Sequence, residues 1–190
     1  MTYKAIIFDF FGVIHADPYH AWLTNHGLVY EGQQASLVDA ADLNQISMQD
    51  LYKGLGEITG QTATEVEAEQ NAACVLNEET VELIRTLAAY YRIGLISNAP
   101  SEYIRGILEK YELTDIFDSL MLSGEVGFIK PAPQIFEIAL ERLGVSADEA
   151  IFIDDTPMNV TAATQLGLTG LVFADVSSLR QELTQLGILK

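Results

Sequence analysis

The spacing of apolar residues predicts that strands and helices alternate along most of the chain. Several short apolar runs have the continuous character of strands that are buried on both faces. They occupy residues 5–8, 92–98, 116–122, 150–155 and 169–173. Between them, apolar residues recur every three or four positions, which is typical of amphipathic helices. These helical patterns cover residues 78–91, 101–111, 131–143, 156–167 and 177–186.

Residues 15–77 depart from this alternation because they contain no convincing strand. Helical spacing is present instead at residues 19–25, 33–43, 47–58 and 64–75. The strand–helix order elsewhere predicts an α/β fold, with a Rossmann-like three-layer parallel sheet core formed by residues 1–14 and 78–190. We expect residues 15–77 to form a small all-helical cap, inserted after the first strand and lying over the crevice at the carboxyl ends of the strands.

Composition narrows the classes of protein and partner. The 190 residues are 49% hydrophobic, which favours a folded globular protein, and the net charge of −17 makes nucleic acid and anionic membranes poor partners. The single cysteine, Cys74, excludes an intramolecular disulfide and a thiolate metal cluster. The beginning of the chain lacks a signal-peptide pattern, so we expect a cytoplasmic protein, and the sequence leaves the oligomeric state open.

Polar side chains stand where three of the predicted strands end, and a lysine precedes a helix that begins with proline. These residues are Asp9, Ser97, Asn98, Lys130, Asp154 and Asp155. Because the carboxyl ends of parallel strands meet at one edge of a sheet, we expect these side chains to share a crevice. Three carboxylates cannot lie together without neutralisation, so the pattern also predicts a bound cation.

Four segments that contain these residues resemble, in order, the motifs of the haloacid dehalogenase (HAD)-like hydrolase superfamily. They are FDFFGVI from Phe8, ISN from Ile96, KPAPQIF from Lys130 and FIDDTPMN from Phe152. The resemblance extends along the whole chain and is nearest to the branch of sugar phosphatases and epoxide hydrolase N-terminal domains, which have a small helical cap. It implies a Mg²⁺-dependent phosphoric monoester hydrolase whose substrate is a small phosphorylated metabolite, such as a sugar phosphate.

The same resemblance implies that Asp9 attacks phosphorus and forms an aspartyl-phosphate, which divides one difficult displacement into two easier steps. Ser97 and Lys130 are the other implied catalytic residues. Ser97, the backbone N–H of Asn98 and Lys130 would bind the phosphate oxygens, and Lys130 would also balance the charge of Asp9.

The resemblance also implies a set of Mg²⁺ ligands. Asp9, Asp155 and the backbone carbonyl of Phe11 would bind the ion directly, and Asp154 would act through a water molecule. Asn159 lies one helical turn beyond Asp155, so we expect its side chain to orient Asp155 from outside the coordination sphere.

Position 11 departs from the phosphatase pattern. The usual family member has a second aspartate there, which protonates the leaving oxygen and then activates water, whereas this chain has Phe11. Losing such general acid–base help typically costs about 10²–10⁴-fold in rate. Three interpretations follow: a phosphatase for substrates whose leaving group needs little protonation, a non-catalytic phosphate or metabolite binder, and a 2-haloacid dehalogenase.

His15 is one candidate for a surrogate acid, because the unperturbed pKa of histidine, about 6.5, suits proton transfer. The alternative interpretation of His15 is a hinge or surface histidine. A 2-haloacid dehalogenase would use an arginine of the cap to hold the substrate carboxylate, yet Lys53 is the only Lys or Arg from residue 15 to 80. Small polar residues would also replace Asp154 and Asp155 in such an enzyme.

The scarcity of cations in the predicted cap favours a small neutral leaving group, such as a sugar, over one with a second phosphate or a carboxylate. Four ring-bearing side chains of the cap have two possible roles, either contacts with such a leaving group or the hydrophobic core of the cap itself. These residues are Tyr19, His20, Trp22 and Tyr30.

Overall fold

Five parallel strands form the sheet at the centre of the fold. In this computed structural model, which describes residues 2–189, the strands are β1 Ala5–Phe8, β2 Arg92–Ser97, β3 Ser119–Leu122, β4 Ala150–Asp154 and β5 Thr169–Val172. Their order across the sheet is β3-β2-β1-β4-β5, with β1 in the middle. The register pairs Phe8 with Leu95 of β2 and with Ile153 of β4. The segments that follow these three strands therefore emerge side by side at one edge.

The chain between β1 and the next strand forms a group of helices that pack on one another. They are α1 Pro18–Asn25, α2 Gly32–Asp42, α3 Met48–Thr59 and α4 Ala63–Ala72. Their shared core includes Trp22, Leu55 and Val66. We call residues 15–77 the helical segment; its assignment to a separate cap domain stays a prediction.

Local sequence signals explain where α3 and α4 begin and where α3 ends. Ser47 and Thr62 each precede a helix, and their side chains accept hydrogen bonds from the backbone N–H three residues later. In each case an acidic side chain at that third position bonds back to the capping residue, so a backbone donor that the helix leaves free is satisfied. Gly60 ends α3 in the left-handed conformation that glycine adopts without strain.

The chain leaves and re-enters the sheet core through two adjacent extended segments. His15 forms an isolated bridge with Leu76. The backbone N–H of Ala16 donates to Val75 at 2.8 Å, and that of Asn77 donates to Ile14 at 2.8 Å. Both connections of the helical segment to the core are therefore held together at one place.

The remaining helices cover the two faces of the sheet. They are α5 Glu78–Ala88, α6 Ser101–Lys110, the short α7 Ser123–Val126, α8 Pro133–Leu143, α9 Pro157–Gln165 and α10 Val176–Gln185. Alternate residues of β1 face opposite sides: Ile6 packs with residues of α5, α6 and α10, whereas Ile7 packs with residues of α8 and α9. This arrangement confirms the predicted three-layer α/β fold.

Several boundaries differ from the predicted elements; strand β3, for example, begins at Ser119 rather than at residue 116, because Thr114–Ile116 form a 3₁₀ turn. Two further differences concern the helices. Helix α8 begins at Pro133 rather than at Pro131, because Pro133 is the proline that occupies the first helical turn, where it needs no N–H partner. The single turn of α7 was not predicted, since it is too short to produce a periodic apolar pattern. Among the described residues, no helix is both long enough and apolar enough to cross a membrane.

Candidate active site

The carboxyl ends of β1, β2 and β4 bring the predicted motif residues together. Asp9 directly follows β1, Ser97 ends β2 and Asp154 ends β4. Asp9, Asp154 and Asp155 each offer a carboxylate oxygen, and these oxygens all lie within 4.8 Å of one another. The expected cluster of three carboxylates is therefore present at one edge of the sheet.

The ammonium group of Lys130 lies between two of these carboxylates. Its Nζ is 2.5 Å from Oδ1 of Asp9 and 2.7 Å from Oδ2 of Asp154, and it also donates to the carbonyl of Ile96 at 3.3 Å. Burial opposes the charged form of Lys130, but the carboxylates of Asp9 and Asp154 outweigh burial and raise its pKa above the usual value. Lys130 is therefore a permanent cation inside the cluster.

The surroundings of Asp9 disfavour the ionised form of its carboxyl group. Burial raises the pKa of the Asp9 carboxyl above its usual range; Lys130 lowers it, and the nearby Asp154 raises it again. The backbone N–H of Phe10 donates to Oδ1 of Asp9 at 2.6 Å. Because one lysine does not balance the cluster, a divalent cation nearby would favour the ionised form of Asp9.

Asp154 is fully buried, and hydrogen bonds reach both of its oxygens. The amide Nδ2 of Asn159 lies 3.1 Å from Oδ1 and 3.1 Å from Oδ2, and the backbone N–H of Thr156 donates to Oδ1 at 2.8 Å. We predicted that Asn159 would orient Asp155, and that prediction is wrong. The carboxylate of Asp154 folds back over the first turn of α9, where Asn159 lies, so Asn159 contacts Asp154 instead.

Asp155 faces the loop that follows β1. Gly12 in this loop has φ +84°, and a Cβ atom placed there would lie 2.2 Å from Oδ2 of Asp155. Burial, and then the adjacent charge of Asp154, raise the pKa of Asp155. Glycine at position 12 thus allows the loop that carries Phe11 to pack directly against the Asp155 carboxylate.

Ser97 and Asn98 have different surroundings. The Ser97 hydroxyl is buried and has no hydrogen-bond partner among residues 2–189. The side chain of Asn98 bonds to the backbone of Lys130 in both directions: Oδ1 accepts from the N–H at 2.7 Å, and Nδ2 donates to the carbonyl at 3.0 Å. Ser97 is available to a ligand, whereas the Asn98 side chain fixes the loop that carries Lys130. Sequence reasoning missed this second role because the two residues are far apart in the chain.

Phe11 and His15 belong to a group of aromatic rings that pack on one another. The Phe11 ring lies 5.9 Å from that of His15 and 6.3 Å from that of Tyr103, and His15 stacks on Phe10 at 5.5 Å. The Nδ1 atom of His15 lies 2.8 Å from the Ala16 carbonyl, and burial lowers the pKa of His15, which favours the neutral imidazole. These contacts fit a histidine at the base of the helical segment. Its predicted role as a surrogate acid gains no support from them and stays a prediction.

The rings of the helical segment divide between its core and its surface. Trp22 is buried and stacks with Tyr19, whose ring centroid is 6.1 Å away, whereas Tyr30 is largely exposed and its hydroxyl donates to Asp39. His20 is exposed. For Trp22, the interpretation as part of the segment's own core is confirmed.

Sequence reasoning also missed Asp42 and Ser123, which join the helical segment to the sheet core. Asp42 ends α2 and is only 9% exposed, and its backbone carbonyl accepts a hydrogen bond of 2.7 Å from the buried Ser123 hydroxyl. A signal was present in the sequence: Asp42 continues the buried stripe of α2 that includes Ala35 and Val38, where an apolar residue is expected.

A profile of haloacid dehalogenase-like hydrolases matches residues 3–167 of this chain. The chain belongs to this family. Over 97% of its length it is 29% identical to a sesquiterpene phosphatase of Aspergillus oryzae, 97% of which is covered. It is 28% identical to the D-ribitol-5-phosphate phosphatase of Bacteroides thetaiotaomicron, over 95% of this chain and 97% of that protein.

The fold resembles that of a solved HAD family enzyme from Bacteroides thetaiotaomicron, crystallised with magnesium and inorganic phosphate. The TM-score is 0.73 at 22% identity, and the match covers 93% of this chain and 98% of that structure. Profile and fold together confirm the family and the fold class that the motifs of this HAD-like hydrolase predicted.

Proposed function

We propose that this HAD-like hydrolase is a Mg²⁺-dependent phosphatase that acts on a small phosphorylated metabolite through an aspartyl-phosphate on Asp9. The observation that carries the proposal is the arrangement around Asp9. A buried cation, Lys130, touches it, two further carboxylates lie beside it, and the buried hydroxyl of Ser97 is left for a ligand. The two curated phosphatases that match nearly the whole chain support the same reaction class.

The carboxylates fit a magnesium ion. Oxygens bound to one octahedral Mg²⁺ lie about 3–4 Å apart, so the observed limit of 4.8 Å requires only small side-chain rotations. Asp9, Asp155 and the backbone carbonyl of Phe11 would hold the ion, and Asp154, whose oxygens are already hydrogen-bonded, would act through a water molecule. When bound, Mg²⁺ would neutralise the repulsion between Asp9 and a phosphate dianion.

In this proposal each residue of the site has a separate role. Asp9 attacks phosphorus, and the ammonium group of Lys130 stabilises the negative charge on the transferring phosphoryl group. The hydroxyl of Ser97 and the backbone N–H of Asn98 bind phosphate oxygens. The side chain of Asn98 keeps Lys130 in place through its two bonds to the Lys130 backbone.

The charges of the helical segment support a substrate with a neutral leaving group. Lys53, which is exposed, is the only Lys or Arg between residues 15 and 80. The acidic groups of the segment are nearer to the core: the charge of Asp17 raises the pKa of Asp155, and Lys130 lowers the pKa of Asp42. A second phosphate or a carboxylate on the substrate would find only the exposed Lys53 there. The same lack of a cation disfavours a 2-haloacid dehalogenase, which must hold a substrate carboxylate.

The test is phosphate release from sugar phosphates, alkyl phosphates and p-nitrophenyl phosphate, with Mg²⁺ or with EDTA. We expect turnover with Mg²⁺ and none with EDTA, and loss of turnover in Asp9→Asn. Asp148→Asn is the matched control, because Asp148 is exposed and lies at the opposite end of β4. A preference for nucleotides or bisphosphates would contradict the neutral leaving group, and turnover in EDTA would contradict the metal requirement.

Phe11 favours a second candidate, a non-catalytic binder of phosphate or of a phosphorylated metabolite. This protein would retain the carboxylates and Lys130 for binding while lacking a proton donor at position 11. Equilibrium binding of inorganic phosphate with Mg²⁺, together with the absence of turnover on every substrate of the panel, would select this alternative.

A further inference from the structure

The serine that begins α7, Ser123, lies where the helical segment meets the sheet core, and its side chain is fully buried. The hydroxyl donates to the backbone carbonyl of Asp42, the last residue of α2, at 2.7 Å. It also accepts from the backbone N–H of Ala99 at 2.9 Å. Ala99 is the neighbour of Asn98, just beyond the end of β2. One hydroxyl group therefore joins the helical segment to the loop that carries proposed phosphate-binding residues.

The single proton of the Ser123 hydroxyl has two possible acceptors. Besides the Asp42 carbonyl at 2.7 Å, the carbonyl oxygen of Ala99 lies 3.3 Å from the same Oγ atom. A hydroxyl group donates one hydrogen bond, so the shorter bond to Asp42 takes the proton while the helical segment is docked on the core. If α2 moves away, the Ala99 carbonyl is the remaining acceptor of the two. The hydrogen bonds of Ala99 thus depend on whether the helical segment contacts the core.

The position of Ala99 matters to the phosphate site because Asn98 precedes it. The bond from the Ala99 N–H to Ser123 fixes the peptide group that joins Asn98 to Ala99. The backbone N–H of Asn98 is a proposed phosphate donor, and its side chain holds the backbone of Lys130 at 2.7 Å and 3.0 Å. A shift of this peptide group would therefore displace two proposed phosphate ligands, the Asn98 N–H and the ammonium group of Lys130.

A second contact holds the same end of α2 against the core. The Asn44 side chain donates to the Gly124 carbonyl at 3.0 Å and to the Ser101 hydroxyl at 3.3 Å. A Cβ atom on Gly124 would lie 2.5 Å from Nδ2 of Asn44, so this close approach requires glycine. We call the bonds that Asp42 and Asn44 make with the core the docking contact. In the proposed function, none of the residues that form it binds phosphate.

We propose that Ser123 is a positioning residue that couples docking of the helical segment to phosphate binding. This inference rests on the proposed function, because it concerns the loop that would bind the phosphate group. With α2 docked, the Ser123 hydroxyl gives its proton to the Asp42 carbonyl and holds the Ala99 N–H, which keeps Asn98 and Lys130 in place for phosphate. Phosphate held by this loop in turn favours the docked helical segment, because the coupling free energy between two such events is reciprocal.

Inorganic phosphate is the probe, because all of its proposed protein ligands belong to the sheet core and none to the helical segment. Asn44→Ala removes part of the docking contact and leaves every proposed phosphate ligand unchanged. We expect it to raise the Kd of inorganic phosphate, measured with Mg²⁺, about 5- to 10-fold. Ser123→Ala should raise this Kd at least as much. Gly124→Ala, whose added Cβ displaces Asn44 while the Ser123 hydroxyl remains, should act like Asn44→Ala.

Ser36→Ala is the matched control. Ser36 is an exposed residue of the same helix, and its hydroxyl donates within α2 to the Gly32 carbonyl at 3.0 Å. This variant should retain the wild-type Kd of phosphate. Ser123→Ala leaves the buried N–H of Ala99 without its acceptor, so if it does not fold, Asn44→Ala, at an exposed position, carries the test.

Hydrogen exchange measures the reverse effect and separates coupling from a purely structural contact. Phosphate with Mg²⁺ should slow amide exchange at residues 40–46, around the end of α2, in the wild type but not in Asn44→Ala or Ser123→Ala. A structural contact alone would change the stability of these variants without changing the Kd of phosphate for the folded protein.

A wild-type Kd in both Asn44→Ala and Gly124→Ala would overturn the coupling and leave the phosphatase function intact. Exchange around the end of α2 that phosphate leaves unchanged in the wild type would have the same consequence. A wild type that neither binds inorganic phosphate nor hydrolyses any substrate of the panel would overturn the proposed function together with the coupling.

Discussion

The two sides of the candidate site differ in how their charges are balanced. On the sheet side, Asp9 and Asp154 share the buried ammonium group of Lys130, and the Thr156 hydroxyl donates to Asp155 at 3.3 Å. On the side of the helical segment, Asp42 is only 9% exposed, and burial together with the charges of Asp39 and Asp17 raises its pKa. The sheet side therefore balances its carboxylates with a buried cation, as the proposed phosphoryl transfer requires, whereas the helical side brings a carboxyl group whose charged form burial disfavours.

Removing the cation of the sheet side should have the largest effect. Lys130→Met keeps the bulk of the side chain but leaves Asp9 and Asp154 buried and unpaired, so we expect the free energy of unfolding to fall by about 3–5 kcal/mol and turnover to be lost. Chemical denaturation measures the first quantity, and added Mg²⁺ should restore part of it.

The matched control is Lys4→Met. Lys4 pairs with Glu149 on the surface, where its side chain is 56% exposed, so the cost should be below about 1 kcal/mol. Equal stability losses in the two variants would show that the buried pairing has no special importance.

Gly12→Ala should have the next largest effect, on metal affinity. The added Cβ would lie 2.2 Å from Oδ2 of Asp155, so the loop or the carboxylate must move, and we expect the Mg²⁺ concentration for half-maximal activity to rise about 100-fold. Gly60→Ala separates this clash from backbone strain, because Gly60 has φ +77° but nothing within 4 Å of its Cβ position. Similar Mg²⁺ requirements in the two variants would contradict the proposed place of Asp155.

Asn159→Ala tests the contact that the structure revealed between Asn159 and Asp154. Losing the two 3.1 Å contacts to Asp154 should weaken Mg²⁺-dependent activity by about 10–100-fold, since partners of this kind orient metal-binding groups. Thr161→Ala lies half a turn further along α9 and is exposed, so it serves as a control. Unchanged activity in Asn159→Ala would mean that Asp154 needs no orientation.

Thr62→Ala should have the smallest effect, and it acts on the helical side alone. Thr62 caps α4, and its removal should cost about 1 kcal/mol of stability while kcat stays near the wild-type value. Thermal unfolding and steady-state kinetics measure the two quantities. A large fall in kcat would contradict this separation, because it would show that turnover depends on the stability of the helical segment.

The sheet side was largely predictable because its signals are local. The apolar strands of β1, β2 and β4 end directly in the chemical residues, so Asp9, Ser97 and Asp155 could be assigned to one edge before any distance was known. What local spacing could not resolve is which of two adjacent carboxylates turns inward. Asn159 is within reach of either, and only the fold of β4 into α9 directs it to Asp154.

The helical side was less predictable because its contacts join distant parts of the chain. The pattern predicted that α2 is a helix, but the partner of the Asp42 carbonyl is Ser123, 81 residues later. One contact of the sheet side is unpredictable for the same reason, because the Asn98 side chain meets Lys130 after 32 residues. Such pairings depend on how elements dock, and no periodic pattern encodes them.

The most direct test of the account is a search for the phosphoryl group on Asp9 itself. The protein is mixed with Mg²⁺ and its best substrate, quenched in acid during turnover, and digested for mass spectrometry. We predict a phosphoryl adduct on the peptide that contains Asp9, absent in Asp9→Asn and absent when EDTA replaces Mg²⁺. Turnover that persists in Asp9→Asn, or an adduct on a different residue, would contradict the assignment of Asp9 as the nucleophile.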